Sequence, residues 1–148
     1  MNIINTTSIE EARKQIEKLS KENKEVVVLG QDEDFNRKIL ENKKVNVLLS
    51  PENNHNKDKL YERDSGLNHI LAKIARESNI TIGIDIQRIK QKERKEQGKI
   101  LARIKQNIKL CKKYRVKIKA FNFHDKLSTF SLLLVLGADT KTAGEAVN

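Results

Sequence analysis

A single proline, Pro51, and a single cysteine, Cys111, occur in 148 residues. One thiol excludes an internal disulfide and a cysteine-based zinc cage, and a reducing cytoplasmic setting is the expectation. One proline and six scattered glycines leave nothing that reads as a flexible linker, so 1–148 is expected to fold as one domain. Aromatic residues make up only 4% of the chain, so the core must be built from Ile, Leu and Val. The longest apolar run, Leu132 to Leu136, is far short of the ~20 residues of a membrane-spanning helix. Thr6, Thr7, Ser8 and two glutamates soon after Met1 do not read as a secretory signal. A protein inside the cell, with no membrane partner, is expected.

Catalytic constellations are scarce as well. The three histidines, His55, His69 and His124, show neither His-x-His nor His-x-x-x-His spacing. His55 and His124 fall in loops after strands, near Asp32, Asp85 and Asp125 at strand ends. A metal-dependent phosphoesterase site could be assembled from these, and it is the alternative reading. Cys111 has no placed base, and Ser50 and Ser131 lack a nucleophile elbow. Gly30 is followed by Gln31, Asp32 and Glu33, which would repel a phosphate rather than cradle it. The sequence thus offers no catalytic set, no metal ligands and no cofactor motif of its own.

The most telling absence is of acidic residues between Gln97 and His124. That span carries Lys99, Arg103, Lys105, Lys109, Lys112, Lys113, Arg115, Lys117 and Lys119, in a chain whose formal charge is +10. Upstream, Arg88, Lys90, Lys92, Arg94 and Lys95 extend the run. On a helical period Ile100, Leu101, Ile104, Ile108 and Cys111 share one face. Lys99, Arg103, Lys105, Lys109, Lys112 and Lys113 are expected on the opposite one, with Leu110 and Tyr114 among them. Ordinary solvated helices mix signs, because like charges repel by a few tenths of a kcal/mol each. A face of one sign fits a polyanion, and RNA or DNA comes first. His69, Lys73 and Arg76, on the polar side of the preceding helix, repeat the theme.

Strand-like and helical runs alternate along the chain. Ile3 and Ile4 open a strand, and Ser8 with Glu11 can form a capping box for a helix burying Ala12, Ile16 and Leu19. Val26 to Leu29 reads as a strand buried on both faces, and Val45 to Leu49 as a second. A helix from Asp34 to Glu41 lies between them. Leu67, Ile70, Leu71 and Ile74 form the stripe of a further helix, capped by Asp64 or Ser65. Ile80 to Ile86, then Val116 to Ala120, complete about five strands. This pattern predicts an α/β fold with a parallel sheet of repeated βα units. A closed (β/α)₈ barrel needs ~250 residues, so the expected form is an incomplete TIM-barrel-like sheet. Function is then expected at the C-terminal ends of the strands, after Gly30, Ser50, Ile86 and Phe123.

Three segments go further than pattern. Leu48-Leu49-Ser50-Pro51, then Arg63-Asp64-Ser65-Gly66-Leu67-Asn68-His69-Ile70-Leu71-Ala72-Lys73-Ile74-Ala75, then Asn79 to Ile84, resemble archaeal ribonuclease P protein component 3. The eukaryotic thirty-kilodalton subunit of ribonuclease P and MRP is a relative of that family. Asn36-Arg37 ahead of Ile39 to Asn42, Lys112 to Val116, Leu133 to Gly137, and Ala143 with Ala146 fit it too, so the resemblance runs from Val26 onward. Departures are the shorter length, the asparagine-rich loop from Asn53 to Asn56, and the segment Lys126 to Phe130, which lacks the family's basic contacts. The resemblance implies a subunit supporting RNA-catalysed removal of the 5′ leader from precursor tRNA. It also implies pairing with protein component 2 in a heterotetramer on the ribonuclease P RNA, with Mg²⁺ required by the RNA and no cofactor on the chain. Arg37, Arg63 and Lys73 are then the implied contacts with RNA or a protein subunit. The basic stripe adds Arg88, Lys99, Arg103, Lys109, Lys112 and Lys113, and His69 joins them as a neighbour of Lys73.

Overall fold

In the computed structural model, which describes residues 2–148, five short strands form one parallel sheet in the order β1-β2-β3-β4-β5. They are β1 (Ile3–Ile4), β2 (Val27–Leu29), β3 (Val47–Leu49), β4 (Thr81–Asp85) and β5 (Ile118–Phe121). Between them run α1 (Ile9–Lys21), α2 (Glu33–Leu40), α3 (His69–Glu77), α4 (Ile86–Lys90) and α5 (Arg94–Tyr114). The last two helices are α6 (Lys126–Val135) and α7 (Thr140–Ala146). Among the described residues no helix is long and apolar enough to cross a membrane.

A sheet whose strand order follows the chain winds in one direction and keeps its crossover helices on one side. The register makes this visible. Ile4, Val28, Leu48, Ile82 and Ile118 stand in one row and pack with Ile16, Ile39, Leu71, Ile104 and Leu133 from the helices. The other face carries Val27, Leu29, Val47, Leu49 and Phe121, with Ile3 at its margin, and no helical residue joins that cluster. These side chains are nonetheless buried, because the sheet curls and they fill its concave side, as in the interior of a barrel. Gly83 lets them meet: a Cβ there would lie 2.8 Å from Leu49 Cδ1 and 2.9 Å from Phe121 Cε2. The α/β, partial-barrel expectation is thus what the chain adopts.

Several local expectations are corrected. Asn68, not Asp64 or Ser65, caps α3, its side chain accepting from the Leu71 N–H at 2.9 Å. Consequently Leu67 lies outside the helix, and Ile70 turns outward at 47% exposure while Leu71, Ala72 and Ala75 take the inner face. Ser8 does cap α1, but the Glu11 carboxylate accepts from the Thr6 hydroxyl instead of closing a box on Ser8. The basic segment is two helices, because α4 stops at Lys90 before α5 begins at Arg94.

The segment between β3 and α3, residues 50–68, has no regular structure yet is tightly held. Asn36, completely buried, anchors one side. Its Oδ1 accepts from the Gln31 N–H at 2.8 Å, and its Nδ2 donates to the carbonyls of Pro51 at 3.1 Å and Gly66 at 3.0 Å. Gly66 has φ +76°, and a Cβ there would sit 1.7 Å from the Pro51 oxygen. Three of the segments that carry the family resemblance therefore meet at one structural knot.

Candidate nucleic-acid interface

Helix α5 is 21 residues long, about 30 Å at 1.5 Å per residue, and carries most of the basic residues singled out in the sequence. Its inner face buries Ile104, Ile108 and Cys111, as the periodicity predicts. Burial alone pushes the Cys111 thiol up to about 12, so this side chain acts as a small apolar filler. On the outer face Lys105, Lys109, Lys112 and Lys113 are exposed, and among the described residues no carboxylate lies within ion-pair distance of any of them.

Tyr114 joins this face to α3. Its ring is half-buried, with Lys113 Nζ 5.4 Å and Lys73 Nζ 5.6 Å from the centroid. Two cations on one ring are tolerated because each meets the negative π face while its ammonium stays in water. His69, exposed at the first position of α3, lies one turn before Lys73. At its C-terminal end α5 borders a groove of about 690 Å³ with β5 and α7. Lys112, Arg115, Lys117, Lys119 and Lys141 line it against only Asp139 and Glu145. Sequence reading placed Lys112 in the site and left out Arg115, Lys117, Lys119 and Lys141. For the first three the signal was the acid-free run itself, which extends past the helix to Lys119, whereas Lys141 lies beyond that run.

Arg103 requires a correction. It is not on the outer face: it is 1% exposed, and its guanidinium reaches into the 50–68 segment. There it donates to the carbonyl oxygens of Glu52 (3.1 Å), Asn54 (3.1 Å) and Asn56 (2.6 Å). It also meets the Asp58 carboxylate at 3.0 Å. Gln106, one turn on, clasps the backbone of Arg63, and Asn107 donates to the Ser65 carbonyl at 3.0 Å. Arg63 itself extends a half-exposed side chain to the other oxygen of Asp58 at 3.1 Å. Partial burial pushes the Asp58 carboxyl up. The N–H of Asp64 and the guanidiniums of Arg103 and Arg63 more than offset this and hold it below the usual carboxylate range. Arg37 stands apart on α2, exposed and paired with Glu41 at 3.0 Å.

At the C-terminal ends of the strands the remaining predicted residues converge. Arg88 donates to Asn53 Oδ1 at 2.7 Å, and Asn53 Nδ2 donates to the Gly30 carbonyl at 3.0 Å. Asn122, after β5, donates to Asp85 at 3.1 Å. Arg88, Lys99 and Arg103 line one cavity of about 180 Å³ between α4, α5 and the asparagine-rich loop. Asp32, Asp85 and Asp125, the carboxylates of the phosphoesterase alternative, serve instead as N-caps of α2, α4 and α6. No three His, Cys, Asp or Glu side chains among the described residues come together around a metal position.

No family model matches the sequence. Curated relatives do. The chain is 29% identical over 130 residues to ribonuclease P protein component 3 of Methanosarcina acetivorans, covering 83% of this chain and 51% of that protein. It is 31% identical over 111 residues to the protein of the same name in Methanococcus maripaludis strain C7, covering 75% and 45%. The chain thus spans about half the length of the curated relatives it matches. Its fold superposes on a chain in a cryo-EM structure of archaeal ribonuclease P with mature tRNA. The TM-score is 0.79 at 22% identity, over 97% of this chain and 62% of that one. A crystal structure of an uncharacterized protein shares the fold at a TM-score of 0.62 and 10% identity.

Proposed function

This chain is a homologue of archaeal ribonuclease P protein component 3, and from that premise we propose that it is an RNA-binding subunit of ribonuclease P. In this reading the hydrolytic cleavage that removes the 5′ leader of precursor tRNA is performed by the RNA, and the isolated chain is non-catalytic. Its partners are the ribonuclease P RNA, precursor tRNA within the holoenzyme, and protein component 2, with which it forms a heterotetramer in the cytoplasm. The Mg²⁺ needed for cleavage is held by the RNA and not by the chain.

The observation that carries this reading is the outer face of α5, where four exposed lysines have no carboxylate within ion-pair distance. Phosphates complete such a surface by releasing their condensed counterions. Neutralising backbone charge lets a folded RNA hold its shape at lower bulk Mg²⁺. Of the ten residues expected in contact, Lys73, Lys109, Lys112, Lys113 and His69 form the outer surface. Arg88 and Lys99 belong to the cavity, Arg37 is peripheral, and Arg63 with Arg103 holds the loop.

Reconstitution tests it. Added with protein component 2 to the cognate RNA, the chain is expected to lower the Mg²⁺ concentration needed for precursor-tRNA cleavage. An unchanged Mg²⁺ requirement overturns the assignment.

A further inference from the structure

The cavity of about 180 Å³ at the C-terminal ends of the strands has an uneven distribution of charge. Arg88 and Lys92 line it from the α4 side, and Lys99 and Arg103 from α5. Arg103 is committed to Asp58 and to three carbonyls. The other three cations have no carboxylate within 4.0 Å among the described residues: Arg88 bonds only Asn53, and Lys99 only the Asn56 carbonyl at 3.4 Å. Unpaired cations gathered in a concave, partly desolvated pocket attract an anion more strongly than on an open surface, because screening is weaker there.

Glu52 lies at the inner end, 6% exposed, and lines both this cavity and a small apolar void between β4 and α5. The charged groups around it are Arg88, Lys92, Lys99 and Arg103 against Asp58, Asp85 and Glu96, with His55 at the rim. Four cations against three anions leave one net positive charge when Glu52 carries its proton, and none when it does not. One positive charge matches one phosphodiester.

We propose that this cavity seats a single backbone phosphate of RNA, and that Glu52 takes up a proton when the phosphate enters. The proposal deepens the RNA-subunit reading and rests on it for the source of the phosphate. Burial already pushes the Glu52 carboxyl up to about 7 against the pull of its own N–H and of Arg88 and Arg103. An added anion within the cavity opposes ionisation further. Binding is therefore tightest below neutral pH and weakens as pH rises through 7.

The test is RNA affinity at fixed salt from pH 6 to pH 8, with ribonuclease P RNA as the probe. All proteins compared carry His69→Gln, because that imidazole lies on the outer surface and its charge changes over this pH range. In this background the chain with Glu52 is expected to lose roughly tenfold, the equivalent of one pK unit. Glu52→Gln is expected to keep the pH 6 affinity throughout, whereas His55→Gln keeps the slope. Arg88→Gln with Lys99→Gln weakens binding at pH 6 and removes the slope. A slope that persists in Glu52→Gln overturns the proposal, as does unchanged affinity in the double variant. Should Glu52→Gln fail to fold, calorimetry of the wild type in buffers of different ionisation enthalpy replaces it, and absence of proton uptake at pH 7 is the overturning result. Inorganic phosphate forms the second arm. Saturable phosphate binding with proton uptake but no RNA preference keeps the cavity and removes the subunit reading. RNA binding without proton uptake does the reverse.

Discussion

Arg103 and Asp58 stand forty-five positions apart in sequence, and their side chains meet at 3.0 Å beneath the segment that joins β3 to α3. The pair is unequal: the guanidinium is almost fully buried, while the carboxylate keeps 17% of its surface in water. Its strength comes from the carbonyls of Glu52, Asn54 and Asn56, which take the remaining donors. A planar fork with fixed donor directions suits this array, and an ammonium does not.

Replacing Arg103 with Met removes the charge and leaves those carbonyls unpartnered. The expected loss is about 3–5 kcal/mol, as for a buried ion pair broken on one side. Arg103→Lys is expected to recover only part of it. Urea midpoints give the magnitude, and limited proteolysis is expected to cut first between residues 52 and 64.

Gly66 is constrained both by its positive φ and by the Pro51 oxygen 1.7 Å from where a Cβ would lie. Gly66→Ala is expected to cost more than ~3 kcal/mol, because backbone on both sides must shift. Asn36→Ala leaves the Gln31 N–H and the Pro51 and Gly66 carbonyls unsatisfied, and about 2–4 kcal/mol is expected from it. If thermal melts place Gly66→Ala within 1 kcal/mol (~) of wild type, the knot is looser than its geometry.

Glu52 links stability to pH. Its folded-state carboxyl is raised from 4.5 to about 7 by burial, so between those values the folded chain binds more protons than the unfolded one. Stability from this group is complete below 4.5 and is lost as pH rises through 7. The loss is about 3 kcal/mol at 1.36 kcal/mol per unit. Glu52→Gln is expected to be more stable than wild type at pH 8 and to lose that advantage by pH 5. Parallel denaturant titrations at the two pH values check the sign.

Lys109, Lys112 and Lys113 are exposed and without ion pairs, so replacing all three with glutamine should leave the urea midpoint within about 0.5 kcal/mol. RNA binding is expected to lose roughly two to three units from its log–log salt slope, close to 0.7–0.9 per phosphate contact. An unchanged slope assigns this face to another partner.

Much of the fold was legible because each strand announces itself. Val26 to Leu29 and Val47 to Leu49 are apolar on consecutive positions, as a strand covered on both faces requires. Expectations failed where a residue's partner is distant in sequence. Arg103 has the same sequence signature as Lys105 or Lys109, and nothing within a helical turn reveals that three carbonyls and Asp58 await it. Asp64 and Ser65 look as good a cap as Asn68, and the choice is made by the loop contacts of Asn54, Asn56 and Gln106 with those two residues. The lysine face of α5 was readable because exposed positions obey the helical period. The cavity was not, since it is assembled from α4, α5 and an irregular loop.

The strand order carries a further consequence, for synthesis. Each strand from β2 to β5 pairs with the one made just before it, so the growing chain does not wait for a later segment before its newest strand has an edge to join. Growth of the sheet can keep pace with elongation, one βα unit after another. The long 50–68 segment is the exception, because Arg103 is made well after the loop it holds. That loop is the last part expected to acquire protection as the chain folds.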